Sequence, residues 1–206
     1  MAKRKEYGVV LNWNYVVISL VSFAAITLLV LYMPNMREID ANILHSIRLA
    51  LSPYPAAIPS FISTFGFANN MLWPQITAGC VLVSHKKYVK AFLLIFFTQA
   101  TFFLVELIKN CICRERPCVY PGFSFPSMHA ASEMCFYGIV IYLVHKYISS
   151  EFWRYFLSVV FGIWIFMVCI SRMWLGVHFP TDVLAGACFG FMVVNLYIII
   201  SKALTN

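Results

Sequence analysis

The stretch YFLSVVFGIWIFMVCIS, Tyr155 to Ser171, runs without a single charge and is followed at once by RMWLGVHFPTD, Arg172 to Asp182, which holds two charges and a histidine. An uncharged run of this length that ends in a polar cluster is the mark of a helix crossing a bilayer and emerging at its surface. The rest of the 206-residue chain repeats the pattern: 62% of it is hydrophobic, 17% aromatic and only 11% charged. Its mean hydropathy of +0.81 lies far outside the range of a soluble domain. Further apolar runs cover Tyr15 to Met33, a Pro- and Gly-interrupted region from Ile58 to Ser84, Ala91 to Ile108, Ala130 to Val144 and Val183 to Ser201. About 20 residues of helix cross the hydrocarbon, so the expected fold is all-α and polytopic, with six transmembrane helices in one membrane-embedded unit, residues 1–206.

Charge supports that count. Lys3, Arg4 and Lys5 precede the first run, which is too long and lacks the small-residue site of a cleaved signal peptide, so a retained anchor is expected. With the N-terminus in the cytoplasm, six spans put Lys86, Lys87, Lys90, Lys146, Arg154 and Lys202 on the same side, as the positive-inside rule requires. Both termini are then cytoplasmic. Arg37, Arg48, Lys109, Arg114, Arg116 and Arg172 fall on the outer side, and topology does not explain them. The net charge of +7 is thus shared between topology signals and an outward cationic cluster, and no nucleic-acid partner is expected.

Between the first two runs, Ile39, Ile43, Ile47 and Leu51 recur at a four-residue step among Asp40, Asn42, His45 and Arg48. That spacing predicts a short amphipathic helix, lying on the outer interface or simply at the loop surface. Of the seven cysteines, Cys80, Cys135, Cys169 and Cys188 lie in apolar runs and read as packing. Cys111, Cys113 and Cys118 lie in the outer loop, where a disulfide from Cys118 to one of the others and free thiols are both open; a fourth ligand at zinc spacing is missing. His45, His85 and His145 read as surface or packing residues.

Three polar clusters remain, each at the outer end of an expected helix: KNCICRERP (109–117), PSMH (126–129) and SRMWLGVHFPTD (171–182). A charge at a helix centre in the bilayer costs about 2.5 to 3.5 kcal/mol, less toward the ends, so such a gathering needs a cause. Ion pairing alone is insufficient: Lys109, Arg114, Arg116 and Arg172 face only Glu106, Glu115, Glu133 and Asp182, and two histidines stand among them. Several fixed cations around two histidines suit an anion, above all a phosphoryl group whose transition-state charge spreads over its equatorial oxygens. The helix start at PSMH adds free N–H groups and the positive end of a dipole.

The three clusters resemble, in order and spacing, the signatures K-x6-RP, PSGH and SR-x5-H-x3-D of the type 2 phosphatidic acid phosphatase superfamily. That resemblance implies a six-helix membrane phosphatase domain, no metal or other cofactor, and hydrolysis of a lipid phosphate through a phosphohistidine. It makes His178 the nucleophile, Asp182 the carboxylate that orients it, and His129 the general acid and then base. Lys109, Arg116, Ser127, Met128 and Arg172 would bind the phosphoryl group. Opposite protonation needs of the two histidines predict a bell-shaped pH profile. Two further residues are expected to assist: Glu106 through an i,i+3 pair with Lys109, and Glu133, one turn beyond His129, as the group keeping that histidine protonated. Arg114 and Glu115 read as a solvated loop pair, and Trp174 as a residue at the entrance. The family's usual glycine is replaced by Met128, which opens a second enzymatic reading, transfer of the phosphoryl or phospho-head group to another lipid; a carrier or flippase of anionic lipids is the reading from a different class. The expected location is the bacterial inner membrane with the site facing the periplasm, acting on phosphatidic acid, phosphatidylglycerol phosphate, a polyprenyl diphosphate or a lipid A phosphate.

Overall fold

A computed structural model describes residues 13–205, which form eight α-helices and, among the described residues, no strand. Lys3, Arg4 and Lys5 lie outside them. The helices are α1 (Trp13–Tyr32), α2 (Met36–Leu51), α3 (Ala57–Thr64), α4 (Ala68–Ser84), α5 (Tyr88–Ile112), α6 (Met128–Tyr147), α7 (Glu151–Trp174) and α8 (Pro180–Thr205). Four of them, α1, α5, α7 and α8, are long and apolar enough to cross a membrane. The six-span expectation is therefore met only for these four. α4 is shorter, with 17 residues, and α6 opens with polar residues.

The region expected as one interrupted span, Ile58 to Ser84, divides into α3 and α4 at Phe65-Gly66-Phe67. α3 packs on α7, while α4 pairs with α5, so the two halves serve different parts of the molecule. The amphipathic helix is present as α2, but its inward face differs from the expected isoleucine stripe. Asp40 and Leu44 are its buried residues, while Ile39 and Ile43 are exposed.

α6 is the centre of the bundle, flanked by α5, α7 and α8, and α1 lies on the far side of α8. In a bilayer, lipid tails are as apolar as leucine, so helices are held by close packing of small residues and by hydrogen bonds between helices. Both devices occur. Gly186 and Gly190, spaced as G-x-x-x-G, let α8 approach α6 so closely that a Cβ on Gly186 would stand 2.4 Å from the Ser127 carbonyl oxygen, and one on Gly190 2.4 Å from that of Ala131. Gln99 donates to Gln75 at 2.8 Å between α5 and α4. An apolar cluster that includes Leu94, Val105, Cys135, Ile139 and Tyr197 fills the space among α4, α5, α6 and α8. A smaller cluster of Leu44, Ala130, Met173, Phe179 and Val183 joins α2 and the ends of α6, α7 and α8.

The topological basic residues gather at one end. Lys90 donates to Tyr147 at 2.8 Å, and a cavity there is lined by Lys86, Lys87, Lys90 and Thr205. Lys109 stands at the other end of α5, about 28 Å away at helical rise, close to the thickness of the hydrocarbon.

The glycine contact is directly testable. Gly186→Ala and Gly190→Ala force backbone to move and are expected to cost about 1 to 3 kcal/mol, as overpacking does, read as a lower thermal midpoint in detergent. Gly162→Ala, where an added Cβ meets nothing within 4 Å, is the control and leaves the midpoint in place.

Candidate active site

The three polar clusters meet where α5 ends, α6 begins and α7 turns into α8. Each is placed by a local rule. α6 starts at Met128 because Ser127 is its N-cap, extended at ψ 116° and accepting a hydrogen bond from the Ala130 N–H. α7 closes in a Schellman motif: Gly176 N–H reaches Met173 O, Val177 N–H reaches Arg172 O, and Gly176 takes the left-handed φ of 69° that the turn demands. α8 opens with Pro180 in the first helical position and Asp182 reaching back to accept the Phe179 N–H at 2.8 Å, which is half of a capping box. Arg172, His178 and Asp182 are thus fixed by one corner. A backbone bond from Ser127 N–H to Asp182 O, 2.9 Å, joins it to the start of α6.

His178 is 1% exposed. Arg116 Nη1 lies 3.2 Å from its Nε2. A guanidinium only donates, so Nε2 must be the accepting nitrogen and the ring proton must sit on Nδ1. Nδ1 faces Asp182 Oδ2 at 3.6 Å, longer than a hydrogen bond, and has no other partner. The unshared pair of Nε2 therefore points at the cation-lined side of the site. Burial pushes the imidazole down to about 4; Asp182 pulls the other way, and the positive charges of Arg172 and Lys109 add to the lowering.

The cations are held by neutral oxygens. Lys109 Nζ donates to Phe123 O at 2.7 Å, and Arg116 donates through Nε to Pro121 O and Gly122 O and through Nη1 to Val177 O at 3.0 Å. Arg172 Nη1 donates to the Ser63 hydroxyl, and its buried Nε has no partner. A hydrogen bond with the Ser63 backbone holds the His129 ring, Phe67 meets it edge-on at 4.9 Å, and its buried Nε2 is without a partner. Arg172, His178 and Lys109 all lie within electrostatic reach of His129. The expected set Lys109, Arg116, Ser127, His129, Arg172, His178 and Asp182 therefore converges on one site. No three His, Cys, Asp or Glu side chains gather as a metal-binding group among the described residues.

Other expectations are corrected. The Met128 side chain packs on the large apolar cluster. Glu106 is exposed and acts on Lys109 through its charge alone, since the Lys109 hydrogen bond goes to Phe123 O. Glu133, fully buried, accepts from Trp164 Nε1 at 3.0 Å on Oε2, while Oε1 has no partner. Arg114 is not a loop partner of Glu115: it binds Asp40 and Asp182, each at 2.6 Å, and Glu115 pairs with Arg37 at the surface. Trp174 lines a cavity of about 520 Å³ beside Tyr54, Arg48 and Pro59. Cys111, Cys113 and Cys118 are free thiols.

Ser63, Gly66, Asp40 and Arg114 were missed by sequence reasoning. A Cβ on Gly66 would stand 2.3 Å from His129 Cδ2, so the turn between α3 and α4 is a wall of the site. Its one visible signal was a glycine breaking an apolar run.

Residues 88–205 match the family model described as the PAP2 superfamily. Phosphatidylglycerophosphatase B of Bacillus subtilis is 26% identical over 190 residues, 88% of this chain and 93% of the relative. The lipid A 4'-phosphatase of Bacteroides thetaiotaomicron is 36% identical over 84 residues, 41% of this chain and 34% of the relative. The fold is similar to the crystal structure of a transmembrane PAP2-type phosphatidylglycerolphosphate phosphatase from Bacillus subtilis, with a TM-score of 0.80 and 24% identity over 94% of this chain and 97% of that one.

Two outcomes check the site. With its imidazole held down to about 4, His178 is expected to contribute an acid limb of kcat/KM near pH 4, so a limb near pH 6 is expected from the second ionisation of a phosphate monoester substrate. Replacing the ester by one of lower phosphate pKa should move that limb by the same amount; a limb that stays near pH 6.5 contradicts the depressed imidazole. Glu133→Gln keeps the Trp164 hydrogen bond, and both limbs are expected to stay within about 0.3 of wild type, whereas a carboxylate controlling His129 would shift one by about a unit.

Proposed function

The chain belongs to the PAP2 superfamily, and on that footing we propose that it is a membrane lipid phosphatase working through a phosphohistidine on His178. The observation that carries this reading is the pair of contacts on His178, Arg116 Nη1 3.2 Å from Nε2 and Asp182 Oδ2 3.6 Å from Nδ1, from which the tautomer follows. Arg116 on Nε2 and Asp182 behind Nδ1 leave an unprotonated nitrogen aimed at the side where the cations stand.

In the first step, Nε2 of His178 attacks phosphorus in line, the P–O ester bond breaks, and the leaving alkoxide takes its proton from His129. Asp182 keeps the ring proton on Nδ1 and stabilises the imidazolium. Lys109, Arg116, Arg172 and the hydroxyl and first N–H groups around Ser127 hold the phosphoryl oxygens. In the second step His129, now a base, takes a proton from water, which attacks phosphorus and releases inorganic phosphate and free His178. The cations are bonded to carbonyls and a hydroxyl, so most of their charge remains available to the anion. Transfer to another lipid drew its support from a thioether beside the head group; the packing of the Met128 side chain on the apolar cluster favours water as acceptor.

The substrate class is a lipid phosphate monoester or diphosphate, with phosphatidylglycerol phosphate the first to test, because the relative matched over nearly its whole length is a phosphatidylglycerophosphatase. Six spans are proposed by adding α4 and α6 to the four apolar helices. The site then faces the outer side of a bacterial inner membrane, opposite the end that carries Lys86, Lys87, Lys90, Lys146 and Lys202.

The test is release of phosphate by purified protein in EDTA from a panel of phosphatidylglycerol phosphate, phosphatidic acid, a polyprenyl diphosphate and a lipid A phosphate, with transferred product also measured. Wild type is expected to release phosphate from at least one, and His178→Ala to lose about 10³-fold or more. Activity or lipid transport that survives His178→Ala sinks the reading.

A further inference from the structure

The catalytic corner has a support that its signature motifs do not contain. Asp182 is fully buried, and both its oxygens are taken: Oδ2 by the Phe179 N–H at 2.8 Å and Oδ1 by Arg114 Nη1 at 2.6 Å. The other arm of the same guanidinium, Nη2, binds Asp40 Oδ2 at 2.6 Å. Asp40, on α2, is also fully buried and accepts from Thr181 through both its N–H and its hydroxyl. Arg114 donates to that hydroxyl as well, and Phe179 lies 4.4 Å beneath its planar head.

We propose that Arg114 and Asp40 are positioning residues of the reaction, a buried Asp40–Arg114–Asp182 bridge that keeps Asp182 ionised and aimed at His178 and makes α2 part of the catalytic apparatus. Two carboxylates buried on either side of Thr181 would repel, and without a cation between them one would take up a proton. A protonated Asp182 no longer holds the ring proton on Nδ1. Arg114 alone presents two donors in a rigid fork, so it satisfies both acids at once, which a lysine point charge does not. Asp40 in turn divides the pull of Arg114, so that Asp182 is not neutralised by a full ion pair of its own.

This inference rests on the phosphohistidine reading. The experiment uses full-length protein in detergent with EDTA and the lipid of the panel that wild type hydrolyses best. Arg114→Met is expected to lower kcat about 10- to 100-fold with KM within about threefold, as small misplacements of catalytic groups do. Arg114→Lys recovers part of the loss. Asp40→Asn, whose amide oxygen still accepts from Thr181, lowers kcat less. In an Asp182→Asn background both substitutions cost less than about twofold, because their route of action is already gone. Should Arg114→Met fail to fold by thermal unfolding, Asp40→Asn alone and in that background decides. Unchanged kcat, a loss carried mainly by KM, or losses that multiply in full in the Asp182→Asn background overturn the proposal and leave the bridge a brace of the fold. A wild type that releases phosphate from no lipid overturns the phosphatase reading, and this one with it.

Discussion

The site depends on how closely α8 can lie against α6. His129 and Ser127 belong to α6, whereas Asp182 is in the first turn of α8 and His178 just precedes it. These groups are separated by the whole of α7, whose end packs with theirs through Met173, Ala130, Phe179 and Val183. They meet because Gly186 and Gly190 place hydrogen where any other residue would put carbon, and the α8 backbone rests on the carbonyls of Ser127 and Ala131. In lipid, where apolar side chains gain nothing by leaving the solvent, this contact is a principal source of helix association. The Ser127–Asp182 backbone bond, 2.9 Å, then joins the two helix starts directly.

A second constraint is charge. A site that concentrates cations near a bilayer must hold them without neutralising them. Lys109 and Arg116 are anchored on the backbone carbonyls of Pro121, Gly122, Phe123 and Val177, whose dipoles orient a cation but carry no net charge. The acids are kept apart for another task. Asp182 serves His178, Asp40 shares Arg114 with it, and Glu133 is tied to Trp164. Separating the acids from Lys109, Arg116 and Arg172 distinguishes this cluster from an ion-pair network, in which each lysine or arginine would have its own carboxylate.

The convergence of the three motifs on one place was legible in the sequence because local geometry fixes much of it. His178 and Asp182 share the start of α8 at i and i+4, Arg172 and Gly176 close α7 before it, and Ser127 caps α6, so these spacings are dictated by backbone hydrogen bonds and survive in one dimension. What stayed hidden depends on contacts distant in sequence. Asp40 seemed a polar residue on the solvent side of an isoleucine stripe, yet it faces inward because Arg114, 74 residues later, is there to receive it. Arg114 and Glu115 are neighbours with opposite charge, and nothing local says that each pairs elsewhere. The break at Gly66 could be read as a kink in one span; only the position of His129 beneath it shows why a side chain is excluded. Length and hydropathy single out α1, α5, α7 and α8 as able to span, whereas α4 is short and α6 opens with polar residues.

The Schellman corner at Gly176 divides the chain into parts with different freedom to change. Between Arg172 and Asp182 the N–H groups of Leu175, Gly176, Val177, Phe179 and Thr181 are all bonded, so one inserted residue would separate the arginine from the histidine. The tip of the outer loop, by contrast, is exposed at Cys118, Val119 and Tyr120, between anchors on Arg116 and Lys109. Val119 is fully exposed there, whereas the Tyr120 ring lies 4.8 Å from the Arg116 guanidinium, so change is free at the first position and constrained at the second. The corner and the loop tip therefore differ in what they tolerate: an insertion is excluded from the first and admitted beside Val119 in the second.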